Sequence, residues 1–186
     1  MGAMSDSDSY LVNAFPSALR DDALRVVSVL PQTSPNTHSF CVEIGNDTVW
    51  IPYRIYHDPT LIDSASLTPT QNELLACLLT RHHDGLIREA YLSKILNSKQ
   101  VWVPPFVVQL VGEYVIEIIR SIRDSVQYLD PGVYRAFLTR NPLFYRTTKA
   151  RVISYWNCYH RAERSEDYAG FQVLEFLDRL IMSPRA

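Results

Sequence analysis

The hydrophobic pattern of the chain changes period near residue 68. Before that point Phe40, Val42 and Ile44 alternate with other positions, and Val49, Ile51, Tyr53 and Ile55 alternate again. Period two marks a strand with one face buried. Gly45-Asn46-Asp47 supplies turn residues between the runs, so a hairpin is predicted with strands over 39–44 and 48–56. Pro52 lies inside the second run and has no N–H for a ladder, which makes that run an edge strand or places a bulge there. Residues 18–30 are ambiguous, because Ala-rich helical character gives way to Val26, Val27 and Val29.

From Thr68 onward apolar residues recur every three or four positions. Thr68-Pro69 reads as an N-cap with proline at the first helical position, ahead of Leu74, Leu75, Leu78 and Leu79. That helix is expected to stop near His82-His83-Asp84-Gly85, and a second to run through Leu86, Ile87, Ala90, Tyr91, Ile95 and Leu96 to Asn97. Pro104-Pro105 opens the longest predicted helix, to about residue 128. Asp130-Pro131 and Asn141-Pro142 open two more, the latter reaching about residue 161, and 167–182 makes the last. The expected fold class is α+β, mainly α: a small N-terminal β-hairpin element followed by a stacked multi-helix domain. The expected organisation is a disordered tail at 1–9, a small β-containing subdomain at 10–66, and a helical domain at 67–183 packed on it as one globular unit.

Asp84-Gly85-Leu86-Ile87-Arg88-Glu89-Ala90, with Leu92 and Leu96 behind it, resembles the second-helix signature of HEAT-type helical repeats. In such units an Asp caps the turn, a β-branched residue packs and an Arg follows it. The resemblance spans about residues 72–97, whereas solenoids stack several such units. It implies a helical hairpin within a stack and carries no chemistry.

Composition narrows the class. The 186 residues are 47% hydrophobic and 20% charged, which excludes a disordered chain. Six Gly and three Cys exclude collagen-like and disulfide-scaffold classes. Cys41, Cys77 and Cys158 are odd in number and far apart, which points to free thiols and a cytoplasmic setting. No basic stretch leads into an apolar one at the start, so no signal peptide is expected. The apolar run 101–119 holds Pro104, Pro105, Gln109, Glu113 and Glu117. Charges at a bilayer centre cost roughly 2.5–3.5 kcal/mol each, so no membrane partner is expected.

Candidate chemistry is sparse. Gln109, Glu113, Glu117, Arg120 and Asp124 share one face of the predicted long helix. Glu113 and Glu117 could act there as general acid and base or as metal ligands. The competing reading is a solvated stripe with Arg120 and Asp124 as an i,i+4 pair, and the lack of a Glu-x-x-His partner favours it. Cys77, His82, His83, Cys158 and His160 carry zinc-ligand chemistry at spacings that fit no standard ligand pair. A helix-end histidine that meets the last carbonyls is the commoner arrangement. Cys77 or Cys158 with a histidine would be the nucleophile candidates, but no phosphate loop, Gly-x-Ser-x-Gly or His-Glu-x-x-His motif anchors a reaction. No cofactor is expected.

Charge distribution adds the strongest lead. Residues 1–63 hold eight acids against three bases, and residues 134–164 hold seven bases against the single acid Glu163. That basic segment is interleaved with Tyr134, Phe137, Phe144, Tyr145, Tyr155, Trp156 and Tyr159. Arginine among aromatics is the composition of protein-interface hot spots and also of single-stranded nucleic-acid grooves. The competing reading, that the aromatics point into the core while the arginines form a solvated face, ranks first, since Arg146, Lys149 and Arg151 do not share a helix face with Tyr145, Val152 and Trp156. A sequence pI near 6.2 falls short of a typical nucleic-acid-binding domain, so a protein partner ranks next and nucleic acid last. The expectation is a non-catalytic interaction module of adaptor, inhibitor or immunity type. Its partner-binding set is Arg135, Arg140, Arg146, Lys149, Arg151, Tyr155, Trp156, Tyr159 and Arg161.

Overall fold

A computed structural model describes residues 10–31, 33 and 38–183, so the tail expected at 1–9 lies outside the described residues. The fold is α+β, mainly α: 62% of the described residues are helical, with a two-stranded antiparallel hairpin toward the N-terminal side. The chain divides into two compact units, Met1–Ile95 and Leu96–Ala186. The sequence reading set its boundary at 66/67, whereas this division falls at 95/96 and groups the first helical pair with the hairpin.

In the first unit, the ambiguous 18–30 stretch forms helix α1, Arg20–Ser28, with Asp21 and Asp22 in its first turn, where the helix dipole favours acids. Strands β1 (Ser39–Ile44) and β2 (Asp47–Pro52) pair in the register Ile44↔Asp47, Val42↔Val49 and Phe40↔Ile51. Gly45 takes a φ of 60° at the first central position of the two-residue loop, a conformation that glycine adopts without the cost of a Cβ. Phe40, Val42, Ile44, Val49 and Ile51 are buried, as the alternation predicts. The second strand is shorter than expected. Pro52 ends it opposite Ser39, at the open end of the ladder, where a missing N–H interrupts no bond. Beyond it Ile55 forms an isolated parallel bridge to His82, through Ile55 N–H to the Arg81 carbonyl (2.9 Å) and His83 N–H to the Ile55 carbonyl (3.0 Å).

Helix α2, Pro69–Leu79, starts at a capping box: Gln71 N–H donates to the Thr68 hydroxyl and Thr68 N–H to the Gln71 side chain. All six residues from Leu74 to Leu79 are buried. Helix α3, Gly85–Leu92, is capped by Asp84, whose carboxylate accepts from Leu86 N–H at 2.8 Å. It ends at Leu92 rather than Asn97, and Ile95 and Leu96 are buried in the irregular turns that follow.

In the second unit the predicted long helix is broken. Helix α4, Pro104–Val111, stops at Gly112, and helix α5, Ile116–Ser125, starts after Val115 in an extended conformation. A Cβ at Gly112 would meet Thr148 Cγ2 at 3.3 Å and Arg151 Cβ at 3.4 Å, so the break lies where the chain approaches a later helix closely. Helix α6, Pro131–Arg140, is capped by Asp130 through Val133 N–H. Helix α7, Pro142–Tyr155, continues as a π-helical turn, Trp156–His160, and helix α8, Ala169–Met182, packs against α5, α6 and α7. Phe106, Ile119, Ile122, Phe137, Val152, Val173 and Leu177 form the core. The charge separation follows the two units. The first carries six bases and eleven acids, the second twelve bases and nine acids.

Candidate functional site

Helix α7 carries the centre of the predicted set. Its core face is Tyr145, Thr148 and Val152. At about 100° per residue, Arg146 and Lys149 fall on one flank of that face and Arg151 and Tyr155 on the other. These four members of the set therefore fall on two separate flanks.

On the first flank α7 meets α6 and α8 around a groove of about 340 Å³. Leu138, Pro142 and Ile181 give it an apolar lining, and Tyr145, Arg146 and Lys149 line its polar side. Asp178 of α8 organises that side. It accepts from the Tyr145 hydroxyl at 2.9 Å and pairs with Lys149 Nζ at 2.6 Å. Lys149 Nζ also lies 4.6 Å from the centroid of the Tyr145 ring. Burial, and then the Asp178 carboxylate, push the Tyr145 hydroxyl well above the ordinary phenol range, so it stays a neutral donor. Arg146 and Arg140 are exposed and have no ion-pair or hydrogen-bond partner among the described residues.

On the second flank Tyr155 stands between two exposed tyrosines. Its ring centroid lies 6.3 Å from that of Tyr114 and 6.2 Å from that of Tyr159. Tyr159 is 70% exposed and Tyr114 58%. Arg151 is half-buried on this flank and Arg161 is exposed just past the π-helical turn. Two members of the set depart from this pattern. Trp156 turns inward, with its ring edge-on to Phe171 at 5.5 Å and its indole N–H donated to the Glu163 carbonyl. Arg135 is half-buried on α6. Of the other aromatics of the segment, Tyr134, Phe137 and Tyr145 are core residues, and Phe144 packs edge-on against Phe137 at 5.7 Å.

The stripe predicted along one long helix does not form. The break at Gly112 separates buried Gln109 and Glu113 from exposed Glu117 and Arg120 on α5. Asp124 pairs with Arg123 at 2.8 Å instead of Arg120, and that hydrogen bond holds its carboxyl below the usual range. In the first unit the His82 and His83 rings are 4.3 Å apart, and Tyr56 stacks on His83. In the second, His160 lies 3.8 Å from Glu163 and its ring 5.1 Å from that of Tyr168. Among the described residues no group of three or more His, Cys, Asp or Glu is placed to hold a metal ion. Cys77 is fully buried, and burial, with Glu73 adding to it, raises its thiol well above the ordinary value, so it is a poor nucleophile. Cys41 and Cys158 are exposed thiols.

Sequence reasoning missed Tyr114, Ile181 and Asp178. Tyr114 gives no local signal, because the apolar period runs across Gly112 and hides the break that exposes it. Asp178 gives no such signal, because its partners lie 29 and 33 positions away. Among the described residues no helix is long and apolar enough to cross a membrane. Comparison with protein-family models, with curated proteins and with solved structures finds no match to this chain.

Proposed function

We propose that this protein is a non-catalytic interaction module of adaptor, inhibitor or immunity type, acting in the cytoplasm, and that its contact surface is the Arg/Tyr-bearing side of the second unit. The observation that carries the reading is the row Tyr114–Tyr155–Tyr159, in which half-buried Tyr155 lies between two exposed rings, tilted against Tyr114 and stacked with Tyr159, on the flank of α7 that carries Arg151. Exposed rings that touch one another gain little from the fold itself. They present a large contact area at a low cost in side-chain entropy, which is why tyrosine and arginine recur at interface centres. The three free cysteines support a reducing setting. The HEAT-like resemblance of 72–97 stays part of the proposal, and the Asp84 cap on α3 and the buried Arg88 are the features that support it.

The test is co-purification of the tagged full chain from its native extract. The partner protein is expected to survive Glu117→Ala and to be lost with Tyr155→Ser/Tyr159→Ser, at unchanged thermal stability. A partner retained by the double variant, or a nucleic acid in its place with affinity that falls steeply with salt, would overturn the reading.

A further inference from the structure

We infer that the groove between α6, α7 and α8 seats an acidic, apolar-anchored peptide segment of a partner protein. This rests on the interaction-module reading above and assigns the chemistry of what binds.

Charge complementarity singles out the occupant. Helices α6 and α7 together carry Arg135, Arg140, Arg146, Lys149 and Arg151 and not one acidic residue. The acid that faces the groove region, Asp178, is already engaged by Lys149 and the Tyr145 hydroxyl. Arg146 on the groove wall and Arg140 at the end of α6 therefore meet no carboxylate among the described residues. A carboxylate arriving from outside would take that role, and guanidinium binds it through two parallel N–H bonds. The positive end of the α7 dipole, at Pro142 on the groove wall, acts in the same direction.

The shape supplies the second half of the recognition. Leu138, Pro142 and Ile181 offer apolar contact. The volume of about 340 Å³ is roughly twice the ~150 Å³ cavity that accepts benzene, which suits one bulky or two aliphatic side chains. An extended or helical segment with an apolar anchor and flanking Asp or Glu meets both demands. A nucleic acid does not, because stacking needs an open ring. The Tyr145 ring is 4% exposed and has Lys149 Nζ over it.

The experiment uses the full chain, isotopically labelled, and a fluorescent synthetic peptide of Asp and Glu around a Leu-Leu pair. Two control peptides replace the leucines by Ser or the acids by Lys. Binding of the acidic peptide is expected, with amide shift changes at Leu138, Thr139 and Ile181. Either control change, Arg146→Glu or Ile181→Ser should weaken it roughly tenfold or more. Arg146 is exposed, so its variant is expected to keep the wild-type melting curve, and Ile181→Ser gives an independent second reading. Equal binding of the Lys peptide, indifference to both substitutions, or displacement by a single-stranded oligonucleotide would overturn the assignment. Self-association that Arg146→Glu abolishes would also overturn it, by making a second copy the occupant. Absence of peptide binding, with a partner still lost in Tyr155→Ser/Tyr159→Ser, would sink the groove assignment alone and leave the broader reading intact.

Discussion

Replacing Gly170 by Ala sets two effects of known sign against each other. Gly170 is the second residue of α8 and is buried. Alanine is favoured over glycine in a helix by up to about 1 kcal/mol, and by less in the first turn. A Cβ at this position, however, would lie 2.6 Å from Tyr168 Cε1 and 2.9 Å from Val152 Cγ1. Neither neighbour can swing into solvent, since Tyr168 is 1% exposed and Val152 fully buried. Forcing a methyl into a packed core costs typically about 1–3 kcal/mol. The steric cost wins, and a net loss of about 1–2 kcal/mol lowers the melting midpoint by roughly 5–15 °C for a unit of this size. Gly132→Ala is the matched control. It is also the second residue of its helix, and its Cβ would meet only Asp130 Oδ1, at 3.4 Å. Thermal denaturation followed by circular dichroism should show Gly170→Ala melting well below wild type and Gly132→Ala at or above it. A Gly170→Ala midpoint equal to or above the wild type would refute the close approach of α7 and α8.

Two further outcomes follow from the first unit. Arg88 is fully buried and donates from one guanidinium nitrogen to the carbonyls of His82 (2.8 Å) and His83 (2.9 Å), tying the α2–α3 turn to α3. Arg88→Met removes that donor and leaves both carbonyls without it, so urea denaturation should show a loss of about 2–4 kcal/mol; a loss below about 0.5 kcal/mol would contradict the role. His82 is buried with Nδ1 accepting from Asp84 N–H at 3.1 Å, and burial, then neighbouring His83, lower its pKa; a hydrogen bond with the His57 backbone and the charge of Asp84 oppose this, and the charge of Arg88 adds to it. The neutral ring is thus favoured in the fold, and the unfolded chain binds more protons once the pH falls below its own value of about 6.5. The stability this residue contributes is present above that pH and is lost as the pH falls toward the lowered folded value. His82→Gln, which can still accept from Asp84 N–H, should flatten the melting midpoint between pH 7.5 and pH 5; an unchanged slope would rule out His82 as its source.

Local chemistry was readable where one or two residues decide the conformation. Thr68-Pro69, Asp130-Pro131 and Gly45-Asn46 open or close their elements as their side chains dictate. The longest helix was misread because Phe106 to Ile122 stays apolar and β-branched on both sides of Gly112, so its period masks the interruption. What breaks it is tertiary, the close approach of Thr148 and Arg151 at a residue without a Cβ. Buried Arg81 and Arg88 were equally illegible, since a composition of charges does not say which ones find carbonyls to bond. For the candidate surface, the sequence placed arginines and aromatics in one segment but could not divide them. The π-helical turn and the core face of α7 do that, packing Trp156 against Phe171 and leaving Tyr159 exposed with half-buried Tyr155 beside it. The groove depends on Ile181 and Asp178 of α8, far along the chain, and no local pattern announces it.

Amide hydrogen exchange of the full chain, alone and in its purified native complex, tests the central claim most directly. The account predicts slowed exchange on binding in 112–116, 138–149 and 153–161, with the hairpin Ser39–Pro52 unchanged. Protection confined to the first unit, or none anywhere, would contradict it.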